Sequence, residues 1–436
     1  LSEDVSSECQ APITDISDAL TPRGKRARDG HRLGSSQSRA SRCGGEVVAV
    51  RTDRKQMSQL SLGVLATSSK ENEFRLPIHP QHFGRIDADL RARMFLERGY
   101  GARYGVSDEQ LAPQVASLRS REEIIATSDI VLLPKPTLED VASLREGQVL
   151  CGWPHAVQDP ELTQMCIDKR LTLIAWEAMN HWTPDGDFVV HVFHMNNELA
   201  GYSSVLHAMT LVGTTGHYGR PLTAVVIGFG NVARGAITAL NAMGVHDVAL
   251  LTMRDVTAVS SPVPSVVMHH LDRLEVDQTR TTVRTDSGQV PTASFLAGFD
   301  IVVNCVLQDP DLPFMFVLDE ELKGFSPGTL LVDVSCDLGM GFEFARPTSF
   351  DEPMLSLDNG VAYYGVDHSP SYLWNSATWG ISEALIPYLR TVMDGPSAWD
   401  QDRTIRPALE IRAGVVLNPK ILSFQSRSAD YPHLPL

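Results

Sequence analysis

The stretch Val225–Ile237, VVIGFGNVARGAI, carries the best-defined chemical signal in the chain. Gly228-Phe-Gly230-Asn231-Val232-Ala233 fits G-x-G-x-x-G/A, directly after an apolar run and at the head of a small-residue run. In such a turn the first glycine permits the tight bend and the second lets the backbone approach a pyrophosphate. The small third residue lets helix pack on strand, and the helix N-terminus attracts the negative charge. Dinucleotide binding is therefore expected at Gly228, Gly230, Asn231, Val232 and Ala233, because strand, turn, helix and a second strand follow in order. The second strand, HDVALLTMRDV, ends in Thr252, Met253 and Arg254, where a NAD site places an acid for the ribose hydroxyls. A neutral hydroxyl followed by a guanidinium suits a 2′-phosphate. NADP(H) is expected over NAD(H); Asp255 counts against it, and a solvated Arg254 is the plain alternative.

Other side chains have types suited to a carbonyl substrate. Arg75, in ENEFRLPIHP, can seat a carboxylate through two parallel bonds. Lys135, after DIVLLP, can polarise a ketone oxygen or pair with a carboxylate. His155, closing GQVLCGWPH, titrates near neutrality and can exchange a proton with a carbinolamine oxygen or a new nitrogen. Asp337, in DVSCDLGMG, follows a strand at its C-terminal end, where open α/β sheets place their ligands. It can orient His155 or take a proton itself; Asp333 reads as structural. Asp367-His368-Ser369-Pro370 suits either recognition of a cationic amine or ordinary turn chemistry. A lone histidine is usually structural, and His79, His82, His191 and His194 have no motif around them.

These residues sit on an α/β alternation. SLGVLAT, DIVLLP, GQVLCGW and LTLIAWE read as strands, with DADLRARMFLERG and DPELTQMCIDKR as helices between some of them. A second series runs through AVVIGFG, DVALLTM, DIVVNCV, GTLLVDVS and VAYYGVD. NNELAGYSSVLHAMTLVG has helical spacing and connects the two series, and SYLWNSATWGISEALIPYLRTVM reads as a long helical stretch returning to the first. The expected architecture is two doubly wound lobes with a cleft between them. At 43% hydrophobic and 21% charged residues the composition is that of a soluble globular protein, with no apolar run near the roughly 20 residues of a membrane span. A net charge of −16 argues against a nucleic-acid role. Six cysteines without a CxxC pair suit a reducing cytosol and no metal site, so a cytoplasmic location is expected. Residues 1–56, rich in Arg, Ser and Gly, read as a disordered tail without a part in the chemistry.

RLPIHPQHF, LREGQVLCGWPH, LIAWEAMN, NNELAGYSSVLHA, VVIGFGNVARGA and GTLLVDVSCDLGMGFEFARPTSFDEP occur in this order between about Phe74 and Pro387. In these stretches the chain resembles the alanine dehydrogenase / transhydrogenase / saccharopine dehydrogenase superfamily, and most closely its carboxyethylornithine synthase branch. The resemblance implies two Rossmann-like domains: a substrate domain from 57–195 plus 371–436, and a dinucleotide-binding domain from 196–370. It implies a pyridine-nucleotide reaction at a carbon bearing nitrogen. In this branch pyruvate is joined to a side-chain amine with NADPH; the alternatives are reductive amination with ammonia or a saccharopine dehydrogenase-like activity. Carried over residue by residue, it makes Arg75 the holder of the oxo-acid carboxylate and places Lys135 near the family's KEP lysine, one residue off. It puts His155 and Asp337 at the reacting centre, Asn197 against cofactor or substrate, and Val306 and Leu307 as apolar walls beside the nicotinamide. The family often has an asparagine where this chain has Asp367. Small-molecule partners and a homo-oligomer are expected, with no membrane partner.

Overall fold

The computed structural model describes residues 59–66, 68–254, 266–309 and 311–436; the expectations for residues 1–56 and for Asp255 lie outside them. Leu62–Val64, Ile130–Leu132, Val149–Gly152 and Thr172–Ala175 are short runs in which every residue is buried. Runs apolar on both faces belong inside a parallel sheet covered by helices on each side. Each such Leu, Ile or Val contributes about 1.5–3 kcal/mol when fully removed from water. They belong to an eight-stranded sheet in which Leu62–Val64 stands third from one edge, between Met94–Glu97 and Ile130–Leu132. The order reverses there, because the chain goes first to one side of Leu62–Val64 and then to the other. The crevice at the C-terminal end of this strand is a topological switch point, where ligands of such sheets bind.

One expected helix is partly a strand. In DADLRARMFLERG only Ala88–Arg91 is helical, and Met94–Glu97 is a strand parallel to Leu62–Val64. Met94 and Leu96 are buried while Phe95 and Glu97 are only partly so, a period of two. A four-residue apolar run cannot be told from a helical segment by pattern alone. The returning stretch is likewise divided. Trp374–Leu385 and Leu389–Asp394 are separate helices with Pro387 between them, where a missing N–H interrupts the ladder. The chain then adds Leu409–Arg412 antiparallel to Thr172–Ala175, completing the first sheet.

The second domain is built on a nine-stranded sheet. Thr223–Ile227 lies between Asp247–Thr252 and Ile301–Asn304, with Leu330–Asp333 and Ala362–Tyr364 beyond, all parallel. Four of its strands were not anticipated: Val266–Arg273, parallel to Asp247–Thr252, Thr281–Thr285 and Gly288–Pro291, which extend the sheet antiparallel beyond it, and Met354–Ser356, antiparallel to Ala362–Tyr364. The two domains are joined through the helix His194–Leu211, which lies on the cofactor helix Asn231–Ala242. The contact is backbone on backbone: a Cβ at Gly201 would stand 1.9 Å from the Val232 carbonyl oxygen, and one at Gly235 would stand 1.7 Å from that of Glu198. Among the described residues, no helix is long and apolar enough to cross a membrane.

Candidate active site

The glycine turn closes the strand Thr223–Ile227 at the second domain's own switch point, between Asp247–Thr252 and Ile301–Asn304. Gly228 has φ 95°, a left-handed conformation that a side chain would strain. Gly230 caps the helix Asn231–Ala242 without any side-chain cap, so the first-turn N–H groups face outward unclaimed. A Cβ built on Gly230 meets nothing within 4 Å. The turn opens on a cleft of about 490 Å³ lined by Gly228, Phe229, Gly230, Asn231, Val232, Thr252, Met253, Arg254, Val306 and Leu307. Across it stand Asn197, Glu177, Asn180 and His191. Uncapped helix N–H groups beside open space fit the pyrophosphate of a dinucleotide. Ala233 is fully buried and packs in the core beneath the turn. Thr252 is 3% exposed, and its hydroxyl accepts the Arg254 N–H at 3.1 Å, while Arg254 itself is exposed.

The remaining candidates come from loops at the C-terminal ends of the first sheet. Lys135 follows Ile130–Leu132 and His155 follows Val149–Gly152; these strands are neighbours, and their loops stay zipped by Leu133 N–H to Cys151 O and Trp153 N–H to Pro134 O. Asp140 pins the Lys135 loop to the one before Arg75, accepting from Ser68, Ser69, Thr137 and Arg121. Arg75 is 5% exposed and lies over the Trp153 ring at 5.4 Å. Its Nε and Nη2 are held by the two oxygens of buried Glu73, and Nη1 stands 3.4 Å from Asn196 Oδ1. One edge of the guanidinium is therefore spent, and the end formed by Nη1 and Nη2 is what a carboxylate can reach. Despite its burial, Glu73 is held below its ordinary pKa by the Arg75 charge and hydrogen bonds.

Asp367 is the anion at the centre of the cations. Its Oδ2 lies 3.1 Å from Lys70 Nζ and 3.8 Å from Lys135 Nζ, and its Oδ1 lies 2.7 Å from His368 Nδ1. Burial opposes its charge, but His368 and the two lysines win and hold the carboxyl well below the usual range. His368 is 1% exposed, and its Nε2 bonds the Glu71 carbonyl at 2.7 Å. Both ring nitrogens are occupied, so His368 orients Asp367 and does not itself face a ligand. Burial lowers Lys135 against the pull of Asp367. Burial first, and the Lys135 charge second, push His155 well below the ordinary histidine range. The imidazole is therefore neutral near pH 7 and able to accept a proton. Burial raises Asp337 to about 6 despite Lys135. Asp333 is raised to about 7 by burial; it accepts from Asn304, the Cys336 N–H and the Tyr363 hydroxyl, shaping the turn that presents Asp337.

Lys135, His155, Arg75 and Asp367 thus act on one another, and Asn197, Val306, Leu307, Thr252 and Arg254 line the nucleotide cleft. Sequence reasoning missed Lys70, Glu73, Asp140 and Glu177. Glu177 lies within the LIAWEAMN stretch and Asp140 within a Thr-x-x-Asp capping box, signals that were present. Glu73 and Lys70 gain their meaning only from the partners above.

The family model described as alanine dehydrogenase/PNT, C-terminal domain, matches residues 200–419, and that for the N-terminal domain matches 63–193. The chain is 25% identical to the N(5)-(carboxyethyl)ornithine synthase of Clostridium botulinum, over 72% of this chain and 89% of that one. It is 26% identical to the alanine dehydrogenase of Methanococcus maripaludis, over 84% and 96% respectively. Among solved structures, an L-alanine dehydrogenase superposes with a TM-score of 0.64 at 21% identity, covering 84% of this chain and 99% of that one. The transhydrogenase from Sinorhizobium meliloti gives 0.61 at 19% identity, covering 82% and 99%.

Proposed function

The chain belongs to the alanine dehydrogenase/PNT family and is an NAD(P)-dependent oxidoreductase; on that footing we propose that it condenses a pyruvate-like 2-oxo acid reductively with the amine of an amino acid, using NADPH. The observation that carries this reading is the number of cations at one site. Arg75, Lys70 and Lys135 are three cations set against two carboxylates, Glu73 on one edge of Arg75 and Asp367 between the two lysines, which leaves the site positive. An oxo acid and an amino acid bring two carboxylates, whereas an oxo acid and ammonia bring one. Arg75 offers its free end to the first, and Lys70, 31% exposed and 3.1 Å from Asp367 Oδ2, is exposed enough to meet the second.

When bound, the reduced nicotinamide supplies a hydride to the substrate carbon. The protein's part is to prepare that carbon. Neutral His155 takes the proton released as the amine adds to the ketone and returns it to the carbinolamine oxygen; one further proton, taken up from solvent, lets that oxygen leave as water and leaves the imine cationic. Lys135 stabilises negative charge on that oxygen. Asp337, protonated below about pH 6, is charged near neutrality and favours the cationic imine. The absence of an acid at Thr252 and the place of Arg254 on the cleft support NADPH over NADH.

The alternative is reductive amination with ammonia, supported by the similarity to proteins named alanine dehydrogenase. NADPH oxidation with pyruvate, measured with ammonia, ornithine or lysine and followed by mass spectrometry, decides between them. A secondary amine from the amino acid is expected. Plain alanine formed at full rate from ammonia alone overturns the proposal.

A further inference from the structure

Arg75 stands on a stretch that no regular structure supports. Residues 70–79 lie in neither helix nor strand, between Leu62–Val64 and the short helical turn Pro80–Arg85. Backbone polar groups buried there must find their hydrogen bonds elsewhere. From Glu71 to Leu76 they find them on one distant segment, the chain that leaves the strand Ala362–Tyr364 of the second domain and enters the helix Trp374–Leu385 of the first. His368 takes the Glu71 carbonyl. Ser371 Oγ donates to the Asn72 carbonyl at 2.5 Å and accepts the Phe74 N–H at 2.9 Å. Thr378 Oγ1 accepts the Leu76 N–H at 2.8 Å. Two hydroxyls thus hold the peptide groups on either side of Arg75.

Both hydroxyls are shielded from water, since Thr378 is fully buried and Ser371 nearly so. Water therefore cannot stand in for either. Thr378 is itself fixed by Tyr104, whose hydroxyl donates to the same Oγ1 at 2.6 Å. Ser371 acts where the backbone needs most support, because Asn72 has φ 52°, a left-handed conformation that few side chains tolerate. Glu73 cannot do this work. It binds the Arg75 side chain and, at 2.9 Å, the Arg75 N–H, but it belongs to the same stretch and moves with it. Bonds that leave the stretch are what fix it in the protein.

We propose that Ser371 and Thr378 are positioning residues for the oxo acid, their hydroxyls fixing the backbone of Asn72–Leu76 and so aiming the free end of Arg75 into the cleft. The inference deepens the function proposed above and rests on its reading of Arg75 as the carboxylate seat. It also gives the returning segment one task at both ends of the site, since the same few residues carry Asp367 against Lys70.

The test is pyruvate binding to the NADPH complex of the full chain, read by nucleotide fluorescence, with the KM for pyruvate measured beside it. Thr378→Val keeps the volume and removes the hydroxyl, whereas Thr378→Ser keeps the hydroxyl and removes the methyl. Thr378→Val and Ser371→Ala should each weaken pyruvate about ten-fold or more, in keeping with what misplacing a binding group costs, and leave NADPH affinity unchanged. Thr378→Ser should match wild type. A packing role predicts the opposite order at position 378, with Val near wild type and Ser impaired, and that result overturns the proposal. Pyruvate and NADPH affinity falling together in both variants means general loosening and refutes it too. If Thr378→Val does not fold, Ser371→Ala decides from the other side of Arg75. Arg75→Lys separates the two readings. Pyruvate bound by Arg75→Lys as tightly as by wild type overturns the carboxylate seat and this inference with it. Pyruvate lost by Arg75→Lys but kept by Ser371→Ala and Thr378→Val overturns this inference alone.

Discussion

Gly235→Ala sets two physical effects against each other inside the cofactor helix. In an isolated helix, alanine in place of glycine is worth up to about 1 kcal/mol of stability. At this position the new Cβ would lie 1.7 Å from the carbonyl oxygen of Glu198 and 3.0 Å from the Tyr202 nitrogen, both backbone atoms of the helix His194–Leu211. Carbon and oxygen need about 3.4 Å, so the two helices must separate by roughly 1.5 Å. Overpacking of this kind costs typically 1–3 kcal/mol, and the rigid backbone target puts it at the top of that range. The net expectation is a loss of about 2 kcal/mol, or about 4–8 °C in Tm for a domain of 150–250 residues. The same movement carries the uncapped N–H groups of Asn231–Val232 away from the pyrophosphate, so NADPH affinity falls with stability. Gly380 is the control. It also lies within a helix, Trp374–Leu385, but its Cβ would meet only the Met195 Cβ at an ordinary 3.6 Å. Gly380→Ala should therefore be neutral or stabilising by up to about 1 kcal/mol. Thermal unfolding and NADPH fluorescence titration of both variants measure the contrast. A Gly235→Ala protein as stable as wild type, with unchanged NADPH affinity, would refute the packing argument.

Three further outcomes follow from the charged groups. Asp367→Asn removes an attraction on Lys135 that, at 3.8 Å and an effective dielectric of 20, is about 4 kcal/mol or about three pKa units. The Lys135 ammonium then titrates lower still, and the alkaline fall of kcat/KM for the oxo acid should move down by about one unit or more; an unmoved profile contradicts the assignment. Stability should fall as pH rises from about 6.5 to 8. Asp333, raised to about 7, and Glu177 and Glu410, each raised by burial, hold protons in the fold that the unfolded chain has already lost, so folding binds protons in this window. Urea unfolding across that range that shows rising stability would count against these carboxyls being protonated. Arg254→Ala should weaken NADPH about ten-fold, the low end of a charge-assisted hydrogen bond, and leave NADH unchanged. Equal losses for both nucleotides would mean that Arg254 does not read the 2′-phosphate.

The glycine turn was legible in the chain itself because its constraints are local. Gly228, Gly230 and Ala233 are set by a bend, an approach and a packing contact that all fall within one strand–turn–helix unit. The four all-buried strands of the first sheet and the five central parallel strands of the second were legible for a similar reason, since runs apolar on both faces have few other uses; Val266–Arg273, mostly half-buried, was not. Met94–Glu97 was not, because four residues are too few to separate a period of two from one of 3.6. Nor were Thr281–Thr285 and Gly288–Pro291, whose antiparallel pairing depends on a neighbour rather than on their own composition. The site divides in the same way. Residue type made Arg75, Lys135 and His155 candidates. Only the tertiary structure decided that Glu73 occupies one edge of Arg75, that His368 is spent on Asp367, and that Lys70, 297 positions from Asp367, joins Lys135 beside it. The state of charge of each group depends on burial and on partners supplied by distant segments, and neither quantity exists until the chain has folded.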